Sequence, residues 1–188
     1  MFRRTRFPLG NTYLGNTRFE RCRFDHARLR DLRVDSTEFI DCVFHGRVWH
    51  TMFFGAPEGF AADPDRPDNQ WRGNDFSGAD LVDVAFSNID LRAQTWPGDC
   101  NEYALIDRID ERTESAAAAI RAKPDHEWPD PSACEQALRA VHYLRTGAHR
   151  DPHGFILIRR RMLGNRLPPH VRDLLWTLVV TDYSDHQE

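Results

Sequence analysis

The chain has 188 residues, enough for one or two domains, and its 25 basic and 29 acidic residues give a net charge of −4. The apolar run of residues 174–180, interrupted only by Thr177, is far too short to span a membrane, and the first residues lack the apolar core of a signal peptide. We therefore expect a cytoplasmic protein with no membrane partner. Four cysteines without a CxxC pair argue against a disulfide scaffold.

Large apolar residues recur at every fifth position in the first part of the chain. A period of five fits neither regular element, because five residues advance a helix by about 500° and an odd step reverses the face of a strand. The chain is therefore predicted to turn a corner about every five residues and to enclose these side chains in a coil. They are Leu9, Leu14, Phe19, Phe24, Leu29, Val34, Phe39, Phe44, Trp49 and Phe54, and then Phe76, Leu81, Phe86, Leu91 and Trp96.

A second column, of mostly small residues, stands two positions before the apolar one. It reads Thr12, Thr17, Cys22, Ala27, Leu32, Thr37 and Cys42. With the segments GADLVDVAF (78–86) and SNIDLRAQTW (87–96), this pattern resembles the pentapeptide repeat family over about residues 5–54 and 74–97.

The resemblance implies a right-handed, four-sided β-solenoid with twenty residues per coil. Phe19 would then stack on Phe39, and Phe24 on Phe44. Cys22 and Cys42 would lie about 4.8 Å apart, within the range of a disulfide. Two reduced thiols that act as small core residues are the preferred interpretation.

Residues 55–75 contain three Pro and three Gly and predict a loop inserted at one corner of the coil. Phe60 and Trp71 would be costly to leave in water, so the loop is expected to fold back on the protein. Insertions in solenoids often gather on the binding side, and we therefore include both aromatic residues in a candidate interaction surface. A passive insertion is the alternative.

Residues 98–188 follow a different pattern and are predicted to be an all-helical region after the solenoid of residues 1–97. Helices are expected over 101–123, from Ser132 to about Thr146 and from Pro169 onward, with a further element over about 152–163. Ser132 is predicted to cap the second helix, with Glu135 in the capping-box position. The helices either cap the coil, form a homodimer or dock a partner.

The chain contains no Walker A loop, GxGxxG, HExxH or GxSxG motif, so no cofactor is expected and no catalytic residues are identified. His149 and His153 have the spacing of a helical metal pair, but Pro152 lies between them, and we expect no metal there.

The remaining candidates for chemistry are scattered along the chain. His45 and His50 are predicted to face solvent as ordinary surface histidines. Asp83, Asp90 and His142 would make an acid–base set, yet nothing in the sequence brings them together.

Residues 1–54 carry ten Arg against six acidic residues. Four of these arginines stand directly before the apolar column and are predicted to form a basic belt around one turn of the coil. Stacked acids should neutralise part of the belt, with Glu38 facing Arg18 and Asp41 facing Arg21. A solvated, partly paired surface is the plain alternative to a binding surface. The belt consists of Arg18, Arg23, Arg28 and Arg33.

These features predict a non-catalytic protein-interaction scaffold of unknown partner, and the basic belt favours an acidic partner. The family resemblance implies an alternative, in which an acidic solenoid imitates DNA and protects DNA gyrase or another type II topoisomerase, which confers antibiotic resistance or self-resistance. A third alternative is an enzyme with its site between coil, loop and helical region.

Overall fold

The structure is a computed structural model, which describes residues 1–5, 7, 14–56, 67–147, 152–163 and 167–181. The chain divides into two compact units. The first unit comprises Met1–Asp99 with His149–His153, and the second comprises Cys100–Ala148 with Gly154–Glu188. No helix in the described part of the chain is long and apolar enough to cross a membrane.

Strands of the first unit pair in parallel, across about twenty residues up to Phe54 and across 32 or 33 residues where the segment that follows Phe54 intervenes. Phe19 lies opposite Phe39, and Phe24 lies opposite Phe44, as the period-five column predicted. The strands are β1 (Phe2–Arg3), β2 (Arg18–Glu20), β3 (Arg23–Asp25), β4 (Leu29–Arg30), β5 (Arg33–Val34), β6 (Glu38–Ile40), β7 (Val43–Phe54), β8 (Trp71–Arg72) and β9 (Asp75–Ser87).

Corners of the first unit are made by residues in the left-handed backbone conformation. Arg21, His26 and Asp31 separate strands β2 to β5 and have φ angles of 51°, 50° and 55°. This conformation is uncommon outside glycine, although Asp and His tolerate it better than most residues. One such corner about every five residues explains why the inward positions recur with that period.

Aromatic rings form a ladder through the core of the first unit. Phe24 stacks between Phe2 and Phe44, with ring centroids 5.1 and 4.9 Å away. The ladder continues from Phe44 to Phe76 at 4.4 Å and from Phe76 to Trp96 at 5.1 Å. Burial of each such side chain stabilises the fold by about 1.5–3 kcal/mol.

The pairing of β4 with β7 has a spacing one residue shorter than that of β3 with β7, which changes the exposure of Trp49. Leu29 pairs with Val48, nineteen residues later, and Val48 is 2% exposed. Three residues connect Asp25 to Leu29, but only two connect His45 to Val48, because the corner there is made by a glycine with a φ of 96°. The prediction that Trp49 faces the core is therefore wrong, and its ring is only half-buried.

The flanks of the predicted loop are anchored on the first unit, whereas its residues 57–66 lie outside the described part of the chain. The backbone N–H of Gly55 donates to Ser87 O at 2.8 Å, and Gly55 O accepts from the N–H of Asn69 at 2.6 Å. The Asn69 side-chain amide donates to Asp35 O and Phe54 O, both at 2.8 Å. The predicted loop also extends too far, since β8 and the start of β9 lie within it.

We propose that the first unit is a β-solenoid of the pentapeptide-repeat type. Support comes from the parallel pairing at about twenty residues, the left-handed corners and the aromatic ladder. All four cysteines are free, and burial raises the pKa of the Cys42 thiol.

The second unit combines helices with a two-stranded antiparallel sheet, so the prediction of an all-helical region is wrong. Tyr103–Ile106 was predicted to start the first helix, but it pairs with Ile156–Arg159, and the pairing buries Ile106 and Ile156. The elements are β10 (Tyr103–Ile106), α1 (Ile109–Ala122), α2 (Pro131–Gly147), β11 (Ile156–Arg159) and α3 (Pro169–Trp176), followed by a π-helical turn, Thr177–Thr181.

Helix α2 is capped by Asp130 rather than by Ser132. The Asp130 carboxylate accepts hydrogen bonds from the backbone N–H of Ser132 at 2.8 Å and from its hydroxyl at 2.6 Å. These bonds hold the pKa of Asp130 below its usual value. Pro131 occupies the first helical position, where the missing N–H is no loss, and so Ser132 lies inside the helix.

Candidate functional site

The four arginines of the predicted belt belong to four different strand regions of the first unit. Arg18, Arg23 and Arg33 begin β2, β3 and β5, and Arg28 lies just before β4. Because left-handed corners separate these strands, the four side chains are distributed around the unit. A rigid partner would therefore meet only part of the belt at once.

Two of the four belt arginines form ion pairs. Arg18 lies 3.5 Å from Glu38, which confirms the predicted contact, and 3.2 Å from Glu20. Arg33 lies 2.9 Å from Asp35.

The other charges of this turn differ from the prediction. Arg21 pairs with Glu20 at 3.4 Å and not with Asp41, as was expected. Arg23 and Arg28 are exposed and form no ion pair with any residue that the structure describes.

Two arginines contact the Trp49 ring on the first unit, and we call these three residues together with Arg28 the arginine–tryptophan face. The pairing of β4 with β7 puts Arg30 directly opposite Trp49, with the guanidinium carbon 4.1 Å from the ring centroid. Arg47 lies 5.9 Å from the same ring. Arg28, the third arginine, is exposed and directly precedes the buried Leu29, two residues before Arg30.

Trp71, one of the two aromatic residues of the predicted surface, does not contribute to this face. Trp71 is 7% exposed, and its ring packs on Phe39 at 4.8 Å and on Phe53 at 5.1 Å. Its place is therefore in the core, where it provides almost no surface to a partner. Phe60 lies outside the described residues.

A second constellation, the His–Asp cluster of Asp25, His26 and His45, lies at the corner after β3. One potential ligand atom from each residue lies within 4.8 Å of the other two. His45 Nδ1 donates to Asp25 Oδ1 at 3.0 Å. The two imidazole rings meet edge to face, with centroids 4.7 Å apart and an interplanar angle of 68°.

Two glycines make room for the rings of the His–Asp cluster. A Cβ atom on Gly46 would lie 2.7 Å from His26 Nδ1, and a Cβ atom on Gly78 would lie 2.5 Å from His45 Cδ2. Real Cβ atoms essentially never approach so closely, so a side chain at either position would displace a ring. Asp25, His45 and Gly78 occupy the same position on successive strands, which explains this arrangement.

The charge state of Asp25 follows from its neighbours. The hydrogen bond from His45 holds the pKa of Asp25 below its usual value, and nearby positive charge contributes to the same direction. Arg3 Nε lies 3.6 Å from Asp25 Oδ2, on the other carboxylate oxygen. Asp25 is therefore an anion at neutral pH.

The other predicted histidines have simpler surroundings. His50 is exposed, as expected, and lies 3.3 Å from Asp31 and 3.5 Å from Asp83. His153 lies 3.6 Å from Asp90, and His149, four residues before it, is outside the described residues.

The three residues considered as an acid–base set, Asp83, Asp90 and His142, contact different partners. Asp83 contacts His50, and Asp90 contacts Arg92 and His153. His142 belongs to the second unit, where it lines a depression between α1 and α2.

Comparison of the chain with protein-family models, with curated proteins and with solved structures finds no match. The resemblance to the pentapeptide repeat family therefore stays a prediction from the sequence.

Proposed function

We propose that the protein is a non-catalytic interaction scaffold whose first unit binds an acidic protein partner through the arginine–tryptophan face. The observation that carries this proposal is the contact of Arg30 and Arg47 with the Trp49 ring on two paired strands, with the exposed Arg28 two residues before Arg30. Arginine and tryptophan are the residue types that most often dominate binding energy at protein interfaces.

The ion pairs already present on this face do not prevent binding of a carboxylate. Arg30 lies 2.9 Å from Asp31, and Arg47 lies 3.0 Å from Asp80, but both arginine side chains remain about half exposed or more, at 48% and 61%. Exposed ion pairs typically contribute only about 0–1 kcal/mol, so a partner carboxylate can compete for the guanidinium groups. Arginine also binds carboxylates through two parallel hydrogen bonds.

The backbone beneath the face is already ordered, which favours binding. Strand β7 is paired with β4 on one side and with β9 on the other, and the inward residues Leu29 and Val48 are 4% and 2% exposed. Little backbone entropy is then lost when a partner binds. A binding face on paired strands also keeps the spacing of its arginines constant.

An acidic DNA mimic is less well supported by the described charges. Seven carboxylates in the described part of the first unit lie within 4 Å of an arginine, which reduces the negative potential that such a mimic needs. They are Glu20, Asp25, Asp31, Asp35, Glu38, Asp80 and Asp90. We therefore rank the scaffold above the topoisomerase-protecting alternative and above an enzyme.

The proposal is tested with a variant in which Arg28, Arg30 and Arg47 are all replaced by Gln. Fluorescence anisotropy with an octaglutamate peptide, together with affinity capture from the native host, measures binding. We expect the triple variant to lose about tenfold or more in affinity, since paired charges at an interface govern both affinity and association rate. The remaining binding should depend less on salt, because fewer screened charges take part.

A matched control removes the same number of charges from other sides of the unit. Replacement of Arg18, Arg23 and Arg33 by Gln should leave the affinity within about twofold, a difference of less than about 0.5 kcal/mol. Equal loss in both variants would show that only net charge matters and would overturn the proposal. Protection of gyrase from a fluoroquinolone by the wild type and both variants alike would favour the DNA mimic instead.

A further inference from the structure

We infer that Asp25, His26 and His45 form a binding site for a divalent first-row transition metal of the Zn²⁺ class. This inference is independent of the proposed interaction function, because none of the three residues belongs to the arginine–tryptophan face. The sequence prediction assigned no metal, and it treated His45 as an ordinary surface histidine.

The donor set selects the class of metal. Two imidazole nitrogens and one carboxylate oxygen suit Zn²⁺, Co²⁺, Ni²⁺ and Cu²⁺, whereas Ca²⁺ and Mg²⁺ prefer sites built from oxygen atoms alone. Three protein ligands leave a coordination position for water. Since His26 and His45 are exposed, a metal ion and its water can reach the cluster directly.

The distances fit a metal ion after a small movement. Two ligand atoms on a tetrahedral Zn²⁺ are about 3.3 Å apart when each bond is about 2.0–2.1 Å. Asp25 Oδ1 and His45 Nδ1 are 3.0 Å apart, so the metal would take the place of the proton that they share. The Nδ1 proton moves through solvent to Nε2, so that His45 binds the metal as a neutral imidazole. His26, within 4.8 Å, completes the site by a side-chain rotation.

The two glycines are the second observation that supports a built site. Both rings occupy space that a Cβ atom on the neighbouring strand would fill, at Gly46 for His26 and at Gly78 for His45. The rings are thus seated against backbone, which restricts their motion and keeps their nitrogens near Asp25. Such restriction reduces the entropy that the ligands lose when they bind a metal.

Arg3 would not bind the metal itself but contacts the carboxylate of one ligand, Asp25. It contacts Asp25 Oδ2, which leaves Oδ1 for the metal and fixes the orientation of the carboxylate. Outer partners of this kind usually orient a ligand, although a positive charge also opposes a cation. Replacement of Arg3 by Gln should therefore change the affinity for metal without abolishing binding.

The test uses Zn²⁺ alone as the probe and the full chain as the protein. Isothermal titration calorimetry on chelator-treated protein should show one Zn²⁺ bound per chain, and Ca²⁺ should give no signal at the same concentration. Binding of Co²⁺ should produce visible absorption bands that report nitrogen ligands. Wild-type protein that fails to bind one Zn²⁺ per chain would overturn the inference.

Single variants identify the ligands. His26→Ala and His45→Ala should each weaken Zn²⁺ binding by about tenfold or more, since loss of even an outer partner costs about 10–100-fold. His50→Ala is the matched control, because His50 is also an exposed histidine beside carboxylates, Asp31 and Asp83, but has no second imidazole among these contacts. It should bind Zn²⁺ as the wild type does. Equal loss in the control, or undiminished binding by the His26→Ala/His45→Ala double variant, would contradict the inference.

Gly78, against which the His45 ring packs, allows a further test of the metal site that removes no ligand. Gly78→Ala should weaken Zn²⁺ binding by about tenfold although it removes no ligand, because its Cβ atom would displace the His45 ring. Circular dichroism before the titration establishes that this variant is folded. If it is not folded, the two histidine variants decide the question, since both side chains are exposed and their removal leaves the core intact.

Discussion

Replacement of Phe44 by alanine tests the aromatic ladder at its centre. The Phe44 ring is 1% exposed and lies between Phe24 at 4.9 Å and Phe76 at 4.4 Å, nearly parallel to both, with interplanar angles of 4° and 2°. Truncation of a buried phenylalanine costs about 3–5 kcal/mol, because apolar area is lost and the cavity collapses only in part. We expect a cost in this range, since neighbouring rings on both sides are held by their own strands.

Hydrogen–deuterium exchange measured on peptides from β7 and β9 isolates the first unit from the second. The slowest amides of these strands report the free energy of unfolding of the unit that contains them. A loss of 3–5 kcal/mol should accelerate their exchange by about a hundredfold to several thousandfold.

Phe44→Leu is the control for the ring itself. Leucine keeps most of the apolar volume, so its cost should be well below that of alanine. Acceleration of less than about fivefold in Phe44→Ala, which corresponds to about 1 kcal/mol, would show that Phe44 is not enclosed in a coil.

Three further predictions concern other parts of the fold. Gly55→Ala should destabilise the first unit by about 1–3 kcal/mol or more, because the new Cβ atom would lie 1.7 Å from Asn88 O. Urea denaturation measures this loss, and an unchanged midpoint would contradict the contact. Asn74→Ala should lower the free energy of unfolding by about 1–3 kcal/mol, because the buried Asn74 side chain accepts a hydrogen bond from Cys42 N–H and donates one to Phe39 O. The surface control Gln70→Ala should change it little. Because the pKa of Asp130 is lowered in the folded protein, its stabilisation of α2 is complete above the pKa of the unfolded chain, about 3.9. This stabilisation is lost as the pH falls below that value. Exchange protection at the start of α2 should therefore fall with acidification in the wild type, and Asp130→Ala should lack this pH dependence.

The stacking partners could be predicted from the sequence because they follow one local rule. An inward residue every five positions and a coil of twenty place Phe24 on Phe44 and Phe19 on Phe39, and the rings lie there. Trp49 could not be placed in this way. Its outward position depends on a corner that Gly46 shortens by one residue, and no periodicity encodes the length of a corner.

The His–Asp cluster was only partly accessible to sequence reasoning. The twenty-residue rule that predicted Arg18 beside Glu38 also places Asp25 beside His45, so this pair carried a readable signal. His26 carried none, because its direction follows from a left-handed corner with a φ of 50°.

The strand at Tyr103–Ile106 was missed for a different reason. Its apolar spacing continues that of the helix after it, and only its pairing with Ile156–Arg159, about fifty residues later, makes it a strand. Such long-range pairing overrides local preference.

The shortened corner at Gly46 also bears on how a protein of this kind can diverge. In the described strands, the step from Asp25 to Leu29 contains one residue more than the step from His45 to Val48, yet Leu29 and Val48 still pair. Loss of one residue at a corner therefore leaves the stacked interior in place. It changes which side chain lies on the outer surface next to the inward residue, as Trp49 does beside Val48. Insertions and deletions at corners, which would shift the register of an ordinary sheet, can here change the outer surface at one corner and leave the pairing of the other strands intact.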